Sequence, residues 1–169
     1  KALEELAAHA SIPVINALSE LYHPCQALAD FFTLEERFGK LQGLTLAYVG
    51  DGNNVCHSLL LAGACVGANV RVATPAEYEP NAAIVAEALR AARETRAKIE
   101  ILRAPEEAVA GAQAVYTDVW ASMGQEQEAA QREKLFAPYQ VNEALMAQAA
   151  PESVFLHCLP AHRGLEVTD

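Results

Sequence analysis

The side chains best suited to chemistry lie in three polar segments, each directly after a short apolar run. Residues 50–54 read Gly-Asp-Gly-Asn-Asn, residues 118–124 read Asp-Val-Trp-Ala-Ser-Met-Gly, and residues 157–163 read His-Cys-Leu-Pro-Ala-His-Arg. Their carboxylate, amide, hydroxyl, imidazole and thiol groups can bind a polar ligand and transfer protons. If the three apolar runs are parallel strands of one sheet, these groups meet at one edge, where such sheets bind ligands.

A fourth polar segment, His23-Pro24-Cys25-Gln26, begins a predicted helix. Because proline favours the first helical position, His23 takes the N-cap and Gln26 the third helical position. One interpretation is a capping box, in which the two side chains only satisfy the backbone of the helix. The other is that both side chains and the free N–H groups face a polar or anionic ligand. The spacing by itself favours neither.

Gly50 and Gly52 follow a predicted strand and open a helix, as in dinucleotide-binding proteins. The third glycine of that fingerprint falls on Val55, where a side chain disturbs the close packing of helix on strand. We therefore predict no nicotinamide cofactor. Because the four cysteines lack CxxC spacing, we also predict no zinc site and no other cofactor.

The four cysteines, Cys25, Cys56, Cys65 and Cys158, are scattered through apolar stretches and do not form the framework of a disulfide-rich protein. This pattern predicts reduced thiols in an intracellular protein, with about three of the four buried. Cys158 comes at a strand end, which is more open than a helix interior, so we expect it to be the most reactive thiol.

Apolar periodicity predicts the elements that position these groups. From residue 44 onward, short apolar runs alternate with amphipathic helical patterns, which is typical of a parallel sheet covered on both faces. We predict an α/β fold with a doubly wound, Rossmann-like parallel sheet of about five strands. The predicted strands are 44–49, 70–73, 99–102, 114–117 and 154–157. The predicted helices are 1–10, with Leu3, Leu6, Ala7 and Ala10 on one face, then 24–39, 54–66, 81–98, 105–110 and 142–149.

Composition narrows the class of protein. A chain of 169 residues, 52% hydrophobic and 20% charged, suits one folded domain with a short additional piece. The formal charge is −10 and no basic block occurs, which argues against nucleic-acid binding. No apolar run approaches the roughly 20 residues that span a bilayer, and the start does not resemble a signal peptide. We predict a cytoplasmic protein without membrane contact and, since the chain does not begin with Met, a longer parent.

Taken together, the motifs resemble those of the ornithine carbamoyltransferases, within the aspartate/ornithine carbamoyltransferase family. The resemblance rests on His23-Pro24-Cys25-Gln26, Gly50-Asp51-Gly52-Asn53-Asn54, Asp118-x-x-x-Ser122-Met123-Gly124 and His157-Cys158-Leu159-Pro160. The four motifs occur in the family's order and at about its spacing, over essentially the whole chain. Four motifs in register are much more specific than any one of them.

The resemblance implies transfer of a carbamoyl group from carbamoyl phosphate to the δ-amine of L-ornithine, giving citrulline and phosphate. It implies that His23 and Gln26 contact the carbamoyl group. It implies that Asn54, Asp118, Ser122 and Met123 hold ornithine, and that Cys158 and the Leu159 carbonyl lie beside the reacting amine.

The chain departs from the family pattern at its ends. The phosphate-binding S-T-R-T-R segment is absent, and so is the closing stretch with its arginine. We interpret residues 1–40 as a helical segment linking to an absent carbamoyl-phosphate-binding domain, and residues 41–169 as an ornithine-binding domain without its final helix. The resemblance implies a homo-oligomer, a trimer or a multiple of trimers. We expect no appreciable transferase activity from this chain alone.

Three alternatives stay open at this point. Aspartate carbamoyltransferases share the H-P-x-Q motif, but they usually have H-P-L-P where this chain has His157-Cys158-Leu159-Pro160. An enzyme for N-acylated ornithine is expected to replace residues 122–124 with a proline-rich loop. The third alternative is a non-catalytic amino-acid-binding module.

Overall fold

A five-stranded parallel sheet forms the centre of the computed structural model, which describes residues 2–121 and 129–169. The strands are β1 (Thr45–Val49), β2 (Asn69–Ala73), β3 (Ile99–Leu102), β4 (Ala114–Thr117) and β5 (Val154–His157). Their order is β3-β2-β1-β4-β5, and every neighbouring pair is parallel. The chain winds outward in opposite directions from β1 and β4, so the switch point lies between these two strands.

Two helices precede the sheet, and the others lie in the connections between the strands. The helices are α1 (Ala2–His9), α2 (Pro24–Phe38), α3 (Asn54–Val66), α4 (Ala82–Thr95), α5 (Pro105–Val109), α6 (Ala129–Phe136) and α7 (Glu143–Met146). Pro24 begins α2, and Gly39 ends it in the left-handed conformation (φ 77°), which glycine adopts without strain. Across the described parts of the chain, no helix is long and apolar enough to span a bilayer.

The sheet is buried on both faces. In β1, Leu46 and Tyr48 belong to the core beneath α2, α3 and α4, whereas Ala47 and Val49 belong to the core beneath α5 and α7. Successive residues of a strand point to opposite faces, which is why a strand buried on both faces is apolar throughout. Helices cover both faces, so the prediction of a doubly wound α/β fold is confirmed.

The predicted elements agree with the structure in most places, although α4 and α7 end before their predicted limits at residues 98 and 149. All five strands are confirmed to within one residue. Helix α6 was not predicted, because its sequence AAQREKLF has little apolar periodicity. The helix predicted for residues 1–10 is confirmed as α1; none of its residues is buried, and Leu6 is 57% exposed. The following segment also exposes Ile12, Ile15 and Leu18.

Gly52 has a structural role in the fold. A Cβ atom at this position would overlap the backbone of Glu79 and Pro80, and the Gly52 N–H donates to the Tyr78 carbonyl at 2.9 Å. The chain therefore requires glycine here in order to bring residues 78–80 against the end of β1.

Candidate functional site

Asp118, directly after β4, joins three strand ends at the switch point of the sheet. Its carboxylate is buried and accepts hydrogen bonds from the Asn53 side-chain amide at 2.6 Å, the Cys158 thiol at 2.9 Å and the Val119 N–H at 2.8 Å. None of these three donors carries a charge. The expectation that the polar segments after β1, β4 and β5 meet at one edge is thereby confirmed.

The residue of the first segment that reaches Asp118 is Asn53. Its side-chain oxygen caps α3 by accepting from the N–H groups of Val55 (3.0 Å) and Cys56 (3.1 Å), which turns its NH₂ group toward Asp118. Asn54, which the resemblance singles out, instead donates from its side chain to the Ser19 carbonyl at 2.9 Å. An asparagine before a helix is a capping signal, but it does not reveal the bond to Asp118.

The start of α2 does not form the capping box that one interpretation suggested. His23 occupies the N-cap position, but its side chain makes no capping hydrogen bond; its Nδ1 lies 2.9 Å from the Ala17 carbonyl. Gln26 donates through Nε2 to the Asp30 carboxylate at 2.9 Å. The capping-box interpretation is therefore wrong, and a ligand-facing role for both side chains stays a prediction.

The loop after β5 is held by hydrogen bonds from its own residues. The Leu159 N–H donates to His157 Nδ1 at 2.8 Å, so the proton of a neutral His157 ring is on Nε2, 3.2 Å from the Glu166 carboxylate. Burial alone would raise the pKa of Glu166, but hydrogen bonds from His157 and the His162 N–H outweigh it and hold that pKa below its usual value. Leu159 has φ 61°, so this network stabilises a backbone conformation that leucine rarely adopts.

A buried ion pair beside the site has no counterpart among the sequence predictions. The Arg132 guanidinium of α6 binds the Asp51 carboxylate and the Trp120 carbonyl, and it lies over the Tyr78 ring, 4.7 Å from its centroid. The two charged side chains are only 4% and 13% exposed. Burial raises the pKa of Asp51 to about 6, although the charge and hydrogen bond of Arg132 oppose the rise. With α6 itself unpredicted, no sequence signal pointed to this pair.

The environment of the cysteines differs from the prediction. Only Cys56 is buried; Cys25 and Cys65 are exposed, and Cys158 is half-buried. Burial raises the pKa of the Cys158 thiol well above its usual range, and the neighbouring Asp118 carboxylate adds to this effect. Since the thiolate is the reactive form, the expectation that Cys158 reacts first is reversed.

We expect iodoacetamide to label Cys25 and Cys65 first, Cys158 more slowly and Cys56 last. A time course read by peptide mass spectrometry checks this order. The Asp118→Asn variant is the matched control, because removing the negative charge should accelerate labelling of Cys158 while leaving Cys65 unchanged. Labelling of Cys158 ahead of Cys65 in the unsubstituted protein would contradict this explanation.

Ser122 and Met123, which the resemblance assigns to ornithine, lie outside the described residues.

Among the residues that the structure describes, Asp118, His157 and Cys158 bring one potential metal-ligand atom each to within 4.8 Å of one another. Sequence spacing could not reveal this group, because Asp118 is about 40 residues away from the adjacent His157 and Cys158.

Comparison with known proteins gives consistent matches. The family model described as "Aspartate/ornithine carbamoyltransferase, Asp/Orn binding domain" matches residues 42–169. The model described as "Aspartate/ornithine carbamoyltransferase, carbamoyl-P binding domain" matches residues 1–36.

Relatives match over the whole chain but are themselves longer. The ornithine carbamoyltransferase of Thermococcus kodakarensis is 56% identical over 169 residues, all of this chain and 54% of that protein. That of Anoxybacillus flavithermus is 60% identical over 167 residues, 99% of this chain and 53% of that protein. A solved ornithine carbamoyltransferase structure from Pyrococcus furiosus superposes with a TM-score of 0.95 at 54% identity, covering 99% of this chain and 53% of that one. The chain thus spans about half the length of the curated relatives it matches.

Proposed function

The chain belongs to the aspartate/ornithine carbamoyltransferase family, and we propose that it forms the ornithine-binding part of an ornithine carbamoyltransferase. The parent protein transfers the carbamoyl group of carbamoyl phosphate to the δ-amine of L-ornithine, giving L-citrulline and phosphate. The observation that carries this proposal is the buried Asp118 carboxylate, whose three described donors are all uncharged and supply no counter-charge. A cationic ligand group is the partner that such a carboxylate favours.

Ornithine offers two ammonium groups and one carboxylate to this site. Asp118 binds the α-ammonium group, while the polar side chains of Asn54 and Ser122 bind the zwitterionic end and Met123 contacts the substrate. Cys158 and the Leu159 carbonyl lie beside the δ-amine. That amine must lose its proton before it attacks, and a thiol and a carboxylate close to it adjust its pKa.

The carbamoyl group lies at the start of α2 in this proposal. Attack by the amine builds negative charge on the carbonyl oxygen, which His23 stabilises, while Gln26 contacts the same group. Holding both substrates in line supplies much of the remaining acceleration. No cofactor takes part.

The division of the chain follows from the same proposal. Residues 1–40 link to a carbamoyl-phosphate-binding domain of the parent protein, and residues 41–169 form the ornithine-binding domain. The match of residues 1–36 to the carbamoyl-phosphate model supports this boundary, as do the exposed apolar side chains of Ile12 and Ile15, which suit a contact with further protein. We also propose a cytoplasmic homo-oligomer, a trimer or a multiple of trimers.

Calorimetry on the full-length protein with bound carbamoyl phosphate analogue distinguishes the substrate classes. Ornithine should bind, whereas aspartate and acetylornithine should not. Preferential binding of either of the other two would overturn the ornithine assignment. Ornithine binding without any citrulline formation from carbamoyl phosphate would leave only the amino-acid-binding module.

Asp118→Asn in the full-length protein should weaken ornithine binding and turnover by roughly ten- to a hundredfold, since a hydrogen bond to a charged group contributes about 1.5–3 kcal/mol. The KM for carbamoyl phosphate should change little. Steady-state kinetics with each substrate varied in turn measures both effects. An unchanged KM for ornithine together with an unchanged kcat would contradict the role proposed for Asp118.

A further inference from the structure

Asp30 is a buried carboxylate on α2 to which the proposed function gives no role. Its side chain is one turn beyond Gln26, and the residue is only 6% exposed among the apolar side chains of the main core. Burial raises the pKa of Asp30, while the nearby Gln26, Tyr116 and His23 side chains oppose the rise. A carboxylate in such surroundings reduces stability unless its hydrogen bonds compensate.

The hydrogen bond that Asp30 makes determines the orientation of a neighbouring amide. An ionised carboxylate accepts hydrogen bonds and cannot donate them. Gln26 must therefore turn its NH₂ group toward Asp30, which it does, with Nε2 and Oδ1 2.9 Å apart. The planar amide then has its oxygen, Oε1, directed away from Asp30. No hydrogen bond within the described residues uses that oxygen.

We propose that Asp30 is a positioning residue that makes Gln26 present an acceptor to the transferred group, so that the site selects a carbamoyl group over an acyl group of the same size. This rests on the proposed function, in which Gln26 contacts the carbamoyl group. The NH₂ of a carbamoyl group donates to Gln26 Oε1, whereas the methyl of an acetyl group donates nothing. A site that binds a donor in this way rejects the analogue that lacks it, because the acceptor is then left unsatisfied.

The surroundings of the Asp30 carboxyl group can accommodate an asparagine in its place. Its second oxygen, Oδ2, and the hydroxyl of the nearby Tyr116 are both buried, and interaction with that hydroxyl lowers the pKa of Asp30. Asparagine keeps the size of the carboxyl group and one oxygen that can accept from the Tyr116 hydroxyl, so we expect the Asp30→Asn variant to fold. The effect of Asp30→Asn on substrate selection can therefore be separated from any effect on folding.

The test compares carbamoyl phosphate with acetyl phosphate in the full-length protein at about pH 8, well above the ordinary pKa of a carboxyl group. The asparagine of Asp30→Asn can donate to Gln26, which allows the Gln26 amide to reverse. The KM for carbamoyl phosphate should rise about tenfold, the change expected for one hydrogen bond. The inhibition constant of acetyl phosphate, and the KM for ornithine at saturating carbamoyl phosphate, should stay within about twofold.

Glu36→Gln, a neutralisation of an exposed carboxylate on the same helix, is the matched control and should leave all three constants unchanged. Asp30→Ala removes the acceptor without adding a donor, and it replaces the asparagine variant if that one does not fold. Equal weakening of carbamoyl phosphate and acetyl phosphate would indicate a general packing role and overturn the proposal, as would no change in either. Failure of the unsubstituted protein to form citrulline would instead refute the proposed function, before any variant is compared.

Discussion

Replacing Arg132 by methionine in the full-length protein should lower the free energy of unfolding by about 3–5 kcal/mol, because it leaves a buried carboxylate without its counter-charge. The Arg132–Asp51 pair is almost wholly buried, and the guanidinium also donates to the Trp120 carbonyl. Denaturant unfolding of the unsubstituted full-length protein and of the variant measures the difference in the free energy of unfolding.

Two comparisons isolate the charge from the loss of packing. The double variant Asp51→Asn, Arg132→Met should recover part of the loss, since neither buried charge then remains. Arg37→Met breaks a pair with Glu152 in which the side chains are 49% and 81% exposed, and it should cost at most about 1 kcal/mol. Equal losses for Arg37→Met and Arg132→Met would contradict the account.

The pH dependence of the Arg132→Met variant has a defined direction. Asp51 has a pKa of about 6 with the Arg132 guanidinium present, and removing that guanidinium raises the pKa of Asp51 further. A protonated Asp51 needs no counter-charge, so the stability deficit of the variant should be largest at about pH 8 and shrink toward about pH 5. A deficit that grows on acidification would show that Asp51 is not the group responsible.

His23→Ala in the full-length protein should lower kcat by roughly a hundredfold or more, since one donor to a developing oxyanion contributes about 2.7–4 kcal/mol. Its side chain does not cap α2, so the melting temperature should change little. Because Nδ1 donates to the Ala17 carbonyl, the proposed role requires a ring that carries a proton on both nitrogens, so that Nε2 can donate to the oxyanion. A rate measurement and a thermal melt on the same sample test both expectations.

His9→Ala is the matched control for His23→Ala. The His9 ring is exposed and likewise lies 2.9 Å from a backbone carbonyl, that of Glu5, so its removal should affect neither rate nor melting temperature. A lowered melting temperature with normal turnover in His23→Ala would leave His23 with a purely structural role.

The helices and strands could be predicted from the sequence because their signals act over a few residues. The run from Leu46 to Val49 is predominantly apolar because both of its faces are buried. Pro24 and Gly39 delimit α2 through backbone geometry. Helix α6 lacks such a local signal, and its formation depends on packing of residues such as Phe136, which is fully buried. Sequence periodicity cannot detect an element that is stabilised mainly by its tertiary contacts.

The sequence by itself determined the family resemblance, the parallel sheet and the edge at which its polar segments meet. Only the tertiary structure decided that Asn53 reaches Asp118 while Asn54 turns to Ser19, because adjacent residues at a helix start point in directions roughly 100° apart. It also decided that Arg132 binds Asp51, across about 80 residues of chain. The high pKa of Cys158 depends on burial and on the Asp118 carboxylate in the loop after β4, neither of which has a signature in local sequence.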